Sequence, residues 1–116
     1  MIETLASLAA RPIRAGAPRS DGGTVRRALD APPGWTASAG RISKTYAFAD
    51  FRAAMTFANR VADLANEVDH HPDLAVGWGR CTVAWSTHDA GGITANDLAC
   101  AARTEGIALG DGAARR

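Results

Sequence analysis

The clearest hydrophobic pattern in the chain lies between positions 51 and 68. Its apolar residues recur at intervals of three and four, which is the spacing of one face of an α-helix. They are Phe51, Ala54, Met55, Ala58, Val61, Ala62, Ala65 and Val68. Asp50 can cap the first turn, and Pro72 disfavours helical geometry at the residue before it. The sequence therefore predicts an amphipathic helix that ends close to His70 and His71.

Alternating apolar and polar positions predict strands on both sides of this helix. Before it, the pattern from Ile42 to Phe48 is interrupted by Lys44, which suits a strand with one face partly covered. After it, two alternating sets stand on either side of Gly79: Leu74, Val76 and Trp78, then Cys81, Val83 and Trp85. Two short strands, or one strand bent at Gly77 and Gly79, would explain this pattern.

Two further helices are predicted nearer the ends of the chain. Thr24 can cap a short helix through about Asp30, which Pro32-Pro33-Gly34 would end. Thr94 and Asp97 have the spacing of a capping box, which would open a last helix through about position 105. Gly106 would stop that helix. This order of elements predicts an α+β fold: an antiparallel four-stranded sheet with helices packed on one face.

The length of 116 residues indicates one domain. Residues 1–23 are expected to form a flexible N-terminal leader, because the stretch from Arg11 to Gly23 is rich in proline and glycine and has few groups able to form a core. The folded domain is expected at 24–107, with a C-terminal tail at 108–116.

Charge and composition narrow the class of protein. A formal net charge of +1 is too small to attract the protein to nucleic acid or to an anionic membrane, so neither is expected as a partner. No apolar run is long enough to cross a bilayer. Cys81 and Cys100 lie far apart without metal-ligand spacing, although a disulfide between them stays open. We expect a bacterial cytoplasmic protein.

The three histidines are the main candidates for chemistry. His70 and His71 lie at a predicted helix end, and His88 follows a predicted strand. Imidazole titrates near neutrality, so a cluster of them can hold both a proton donor and a proton acceptor, as an elimination of water requires. An isolated histidine is more often structural. A zinc site is disfavoured because adjacent helical residues point about 100° apart.

Other candidate residues have two interpretations each. Asp97 can close the capping box, or it can face a pocket and orient an imidazole. Trp35, Trp78 and Trp85 could stack on a planar heterocycle, although large aromatic residues in a small domain are more often part of the core. Trp35 is the best candidate of the three, because it belongs to no apolar stripe.

The spacing of these residues resembles one known family. His70-His71-Pro72 is followed after five residues by Trp78, after nine more by His88, and after eight more by Asp97. This run is similar to the motif of the pterin-4a-carbinolamine dehydratases. The resemblance covers roughly Thr24 to Ile107.

The resemblance implies dehydration of 4a-hydroxytetrahydropterin to the quinonoid dihydropterin, with no metal or organic cofactor. It implies that histidines 70, 71 and 88 exchange the protons. It also implies a homodimer or homotetramer. The positions that would contact or orient the pterin are Trp35, Asn66, Glu67, Asp69, Trp78 and Asp97.

Two positions depart from the family pattern. Asn66 stands where the family usually has a glutamate, and Glu67, one place later, faces about 100° away on a helix. Trp78-Gly79 replaces the usual Tyr-Asn pair. These departures suit the alternative that the chain is a catalytically degenerate paralogue. The dehydratase-like Rubisco assembly factors of carboxysome-bearing bacteria are such a group, with the Rubisco large subunit as partner.

Overall fold

The structure, a computed structural model, describes residues 5–30 and 34–110. Its helices are α1 (Leu5–Ala9), α2 (Gly22–Ala28), α3 (Phe51–Val68) and α4 (Ala95–Gly110). Its strands are β1 (Thr36–Ser38), β2 (Arg41–Ala47), β3 (Asp73–Gly77) and β4 (Arg80–Trp85). A 3₁₀ turn, His88–Ala90, follows β4.

The four strands form one antiparallel sheet in the order β1-β2-β4-β3. Trp78 and Gly79 join β3 to β4 as a tight hairpin, so the alternating segment is two short strands. Gly79 has a φ of 71°, a left-handed conformation that glycine adopts without steric cost. The expected α+β fold with a four-stranded antiparallel sheet is confirmed.

The buried face of the sheet packs against α3 and α4. Alternate residues of β2 and β4 supply it: Ile42, Lys44, Tyr46, Cys81, Val83 and Trp85. Asp50 caps α3 as predicted, accepting a hydrogen bond from the Ala53 backbone N–H at 2.8 Å. The buried face of α3 includes Phe57, Val61 and Ala65. The core therefore lies between the sheet and these two helices.

A buried ion pair lies inside this core. The Lys44 Nζ atom is 2.6 Å from Glu105 Oε1 of α4, and both side chains are almost fully buried. Tyr46 and Trp35 donate hydrogen bonds to the same carboxylate oxygen. Burial and this carboxylate raise the pKa of Tyr46. Lys44, which interrupts the apolar pattern, is thus a core residue with a partner.

The ends of the chain differ from the expected boundaries. Residues 5–23, expected as a flexible leader, contain α1 and the start of α2, and Leu8 is fully buried in the core. Asp21 caps α2, accepting a hydrogen bond from the backbone N–H of Thr24, so the predicted cap at Thr24 is wrong. Helix α4 continues through Gly106 to Gly110, because no proline or left-handed residue ends it at Gly106.

The predicted stop at Pro32-Pro33 and residues 111–116 of the expected tail lie outside the described residues. None of the described helices is both long enough and apolar enough to span a membrane.

Candidate functional site

The C-terminal end of α3 positions two histidines differently. The helix ends at Val68, and Asp69 takes a left-handed conformation with a φ of 53°. This turn redirects the chain before Pro72. As a result, the His70 side chain is only 13% exposed, whereas His71 is exposed to solvent.

His70 forms a close pair with Asp97. Its Nε2 atom is 2.6 Å from Asp97 Oδ1, and the Asp97 side chain is fully buried. The imidazole also stacks on Trp85, with ring centroids 5.6 Å apart and planes inclined by 12°. The ring is therefore held by a carboxylate at one nitrogen and by an aromatic face.

Asp97 contacts both the first turn of α4 and the imidazole of His70. Its Oδ2 atom accepts hydrogen bonds from the Thr94 backbone N–H and from Thr87 Oγ1, each at 2.8 Å. The Thr94 hydroxyl accepts from the Asn96 backbone N–H at 3.2 Å, which completes the capping box. One carboxylate thus starts α4 with one oxygen and binds His70 with the other, so Asp97 cannot turn away from the imidazole without breaking the cap.

The other two histidines lie in different surroundings. The His71 Nε2 atom is 3.1 Å from Asn66 Oδ1, an uncharged acceptor. His88 is exposed and begins the 3₁₀ turn after β4. A cavity of about 540 Å³ is lined by His70 and Asp69, and a smaller one of about 180 Å³ is lined by His88. Thr87 lines both cavities.

Three predicted contact residues lie elsewhere. Trp78 is 71% exposed in the turn between β3 and β4, at the far end of the hairpin from Pro72. Trp35 is buried and bonded to Glu105, and it lines a separate cavity beside α2. Glu67 is exposed on α3. Within the part of the chain that the structure describes, none of these three lines the cavities of His70 and His88, and neither do Asn66, His71 and Asp97.

Sequence reasoning missed Thr87 and the contact of Trp85 with His70. Trp85 shares its strand parity with Cys81 and Val83, which indicated only a core position. Thr87 lies next to His88, but nothing local shows that its hydroxyl meets Asp97. Among the described residues, no group of three acidic, histidine or cysteine side chains has the arrangement of a metal site.

Comparison with known proteins identifies relatives of this chain. The family model described as pterin 4 alpha carbinolamine dehydratase matches residues 19–107. A protein of Chromobacterium violaceum named "Putative pterin-4-alpha-carbinolamine dehydratase" is 43% identical over 103 residues, covering 89% of this chain and 94% of that protein.

Two solved structures are similar in fold. A transcriptional coactivator/pterin dehydratase from Brucella melitensis has a TM-score of 0.74 and 30% identity, covering 78% of this chain and 98% of that one. A pterin dehydratase-like RuBisCO assembly factor of the alpha-carboxysome has a TM-score of 0.53 and 20% identity, covering 64% and 86%. At 20% identity, the similarity to the assembly factor establishes only a shared fold.

Proposed function

The chain belongs to the pterin-4a-carbinolamine dehydratase family, and we propose that it dehydrates 4a-hydroxytetrahydropterin to the quinonoid dihydropterin. The observation that supports this most directly is the pair between His70 Nε2 and Asp97 Oδ1 beside a cavity of about 540 Å³. A buried carboxylate that orients an imidazole is a recurrent device for proton transfer.

His70 is the proposed base. With its Nε2–H donated to Asp97, the Nδ1 atom is the nitrogen left to accept a proton from N5 of the substrate. The electrons of that N–H bond then form the C4a=N5 double bond as the C4a–O bond breaks. The buried negative charge of Asp97 stabilises the imidazolium that results.

His88 is the proposed proton donor to the departing hydroxyl, which leaves as water. Two observations favour it over His71: its cavity adjoins that of His70 at Thr87, whereas the Nε2 atom of His71 is engaged with Asn66. The proposed reaction moves two protons and breaks one C–O bond, so it calls for no metal and no organic cofactor. General acid–base assistance of this kind contributes about 10²–10⁴ in rate.

A stopped-flow assay of 4a-hydroxytetrahydropterin dehydration tests this proposal with Asp97→Asn as the informative variant. An amide placed toward Nε2 can donate to it, which favours the opposite tautomer and puts the proton on Nδ1. The expected loss in kcat/KM is about 10²–10⁴, as for other carboxylates that set a histidine tautomer.

Asp63→Asn, a change of the same kind on the exposed side of α3, is the control and should leave the rate unchanged. If the folded wild-type protein fails to accelerate the reaction over buffer at micromolar concentration, the dehydratase proposal is wrong. If Asp97→Asn retains full activity, His70 is not the base.

Assembly of Rubisco is the second candidate, and the contact at Asn66 favours it. Where the family pattern usually supplies a carboxylate, His71 meets only a neutral amide, which weakens the case for acid–base chemistry at this position. Co-expression with Rubisco subunits tests it: an increase in assembled Rubisco supports it, and no increase counts against it.

The proposal extends to a homodimer or homotetramer. In support, β3 is an outer strand of the sheet in the described structure, and it carries the half-exposed Leu74. Light scattering at several protein concentrations measures the state directly, and a monomer at all of them would contradict this part.

A further inference from the structure

Residues 5–18, which precede the family match, are part of the folded domain. The match begins at position 19, yet α1 packs against α4 and its Leu8 is fully buried. The chain then continues from α1 toward α2 across the N-terminal end of α4. We call residues 11–19 the strap.

The strap is held at both ends and in the middle by hydrogen bonds from the rest of the domain. Where it begins, the Arg103 guanidinium donates to the carbonyl oxygens of Ala9 and Arg11, each at 2.9 Å. Just past its end, the Ser20 backbone N–H donates to the Ile93 carbonyl at 2.8 Å. These bonds set the path of a segment whose own side chains are mostly exposed.

Asn96 holds the middle of the strap. Its Oδ1 atom accepts from the Arg14 backbone N–H at 3.0 Å, and its Nδ2 atom donates to the Arg14 carbonyl oxygen at 2.7 Å. Asn96 is itself buried. A side-chain amide that satisfies both backbone groups of one residue fixes the position and the orientation of that residue.

The strap forms one wall of the cavity that contains His70. Residues 13–19 and Asn96 line the 540 Å³ space together with Asp69, His70 and Thr87. Without the strap, this cavity would be open to solvent on that side. A substrate whose reacting atoms lie at His70 would therefore contact the strap with another part of its surface.

We propose that the strap is a wall of the substrate site and that Asn96 is a positioning residue which keeps it in place. The predicted effects of this wall on KM and kcat rest on the proposed dehydratase function. Asn96 and Asp97 are consecutive residues in the first turn of α4, so one helix terminus positions the strap through Asn96 and the imidazole of His70 through Asp97. The distance between wall and base is thereby set by a single rigid element.

The variants Asn96→Ala and Asn96→Asp test the proposal, with Asn59→Ala on the exposed face of α3 as the matched control. Alanine removes both bonds to Arg14. Aspartate keeps the acceptor for the Arg14 N–H but replaces the donor with a carboxylate oxygen that repels the Arg14 carbonyl oxygen. Helix α4 should begin normally in both variants, because Asp97 still caps it and a carboxylate in the first turn of a helix is favourable.

Three measurements apply to each variant: hydrogen exchange of the Arg14 amide, KM and kcat for the dehydration, and the Kd of an unreactive pterin, 7,8-dihydrobiopterin. In Asn96→Ala we expect faster exchange at Arg14 and an increase of about tenfold in both KM and Kd, which corresponds to the loss of one or two hydrogen bonds. We expect kcat to change less than about twofold, because Asp97 still holds His70. Asn96→Asp, in which a carboxylate oxygen faces the Arg14 carbonyl oxygen, should show changes at least as large as those of Asn96→Ala.

Faster exchange at Arg14 with unchanged KM and Kd would show that the strap is not part of the site and would overturn the proposal. Unchanged exchange at Arg14 would overturn the role of Asn96. A loss in kcat as large as the change in KM would mean that Asn96 acts on Asp97 and not on the wall.

Failure of the dehydratase proposal is distinguishable from these outcomes, because it appears in the wild-type protein as an absent rate. The strap is then judged by two measurements that need no turnover. They are the exchange at Arg14 and the rate at which diethyl pyrocarbonate modifies His70 relative to His88. An open wall should raise that ratio in Asn96→Ala, and an unchanged ratio would again overturn the proposal.

Discussion

Replacing Lys44 with methionine removes one half of a buried ion pair and leaves the other half in place. The side chains of Lys44 and Glu105 are 3% and 4% exposed, and their charged atoms are 2.6 Å apart. Without the ammonium group, the Glu105 carboxylate keeps the hydrogen bonds from Tyr46 and Trp35 but loses the positive charge beside it. Breaking one side of such a pair costs about 3–5 kcal/mol, because a buried charge is left uncompensated.

This cost is a large fraction of the stability of a small domain, which is about 5–15 kcal/mol in total. Glu105→Gln should also destabilise the protein, because it removes the carboxylate charge that lies 2.6 Å from the Lys44 ammonium group. The double variant Lys44→Met/Glu105→Gln removes both charges of this pair. We expect it to be more stable than the sum of the single changes predicts by at least about 1 kcal/mol.

Urea unfolding followed by tryptophan fluorescence measures these free energies by linear extrapolation. The same strand offers a matched control, because Arg41 of β2 pairs with Asp73 at 3.6 Å while their side chains are 49% and 72% exposed. Arg41→Met should therefore cost less than about 1 kcal/mol. If Lys44→Met costs no more than Arg41→Met, or if the double variant is simply additive, the buried pair does not stabilise the core as argued.

Three further predictions concern single residues. Asp21→Ala should lower stability at neutral pH. The hydrogen bond from Thr24 lowers the Asp21 pKa from its usual value of 3.8, so the cap stabilises the folded protein above that pH, and this stabilisation is lost as the pH falls through the lowered pKa. A variant whose acid unfolding matches that of the wild type would contradict this. Burial raises the pKa of Cys81 to about 11 and that of Cys100 to about 12, so iodoacetamide at pH 8 should label neither thiol before the protein unfolds. Stability should also fall as the pH rises from 9 toward 11, because the thiols of the unfolded protein lose their protons first. Rapid labelling of the native protein would refute this. Because the proposed mechanism gives His71 no proton to transfer, Asn66→Glu and Asn66→Ala should both leave kcat/KM for dehydration unchanged. An increase in Asn66→Glu alone would show that His71 takes part in the reaction and would contradict the assignment of the two protons to His70 and His88.

Local patterns were sufficient for several elements of the fold. The helix after Asp50 and the capping box at Thr94 were predicted correctly, because a cap and its partner lie within three residues of each other. The hairpin at Gly79 was one of two options, and its positive φ explains the outcome. The predicted cap at Thr24 was wrong because Asp21, three residues earlier, supplies the acceptor instead.

Contacts between distant segments were not predicted. Trp35 was expected at the pocket, but its indole N–H donates to Glu105, 70 positions away in the sequence. The segment around Arg14 lacks a hydrophobic period and was expected to be a flexible leader. Its backbone is instead bonded to Asn96, 82 positions away. No local pattern encodes which distant side chain satisfies a backbone group.

The sequence by itself determined the order of α2, β2, α3, β3, β4 and α4, the family, and the helix-end position of His70, because each depends on periodicity or on short spacings. Only the tertiary structure decided which histidine receives a buried carboxylate. That choice requires the end of α3, the first turn of α4 and the end of β4 to meet, so that Asp97 contacts His70 while Thr87 occupies its other oxygen. The three histidines are close in sequence motif, but tertiary packing pairs only His70 with Asp97 and leaves His71 and His88 exposed.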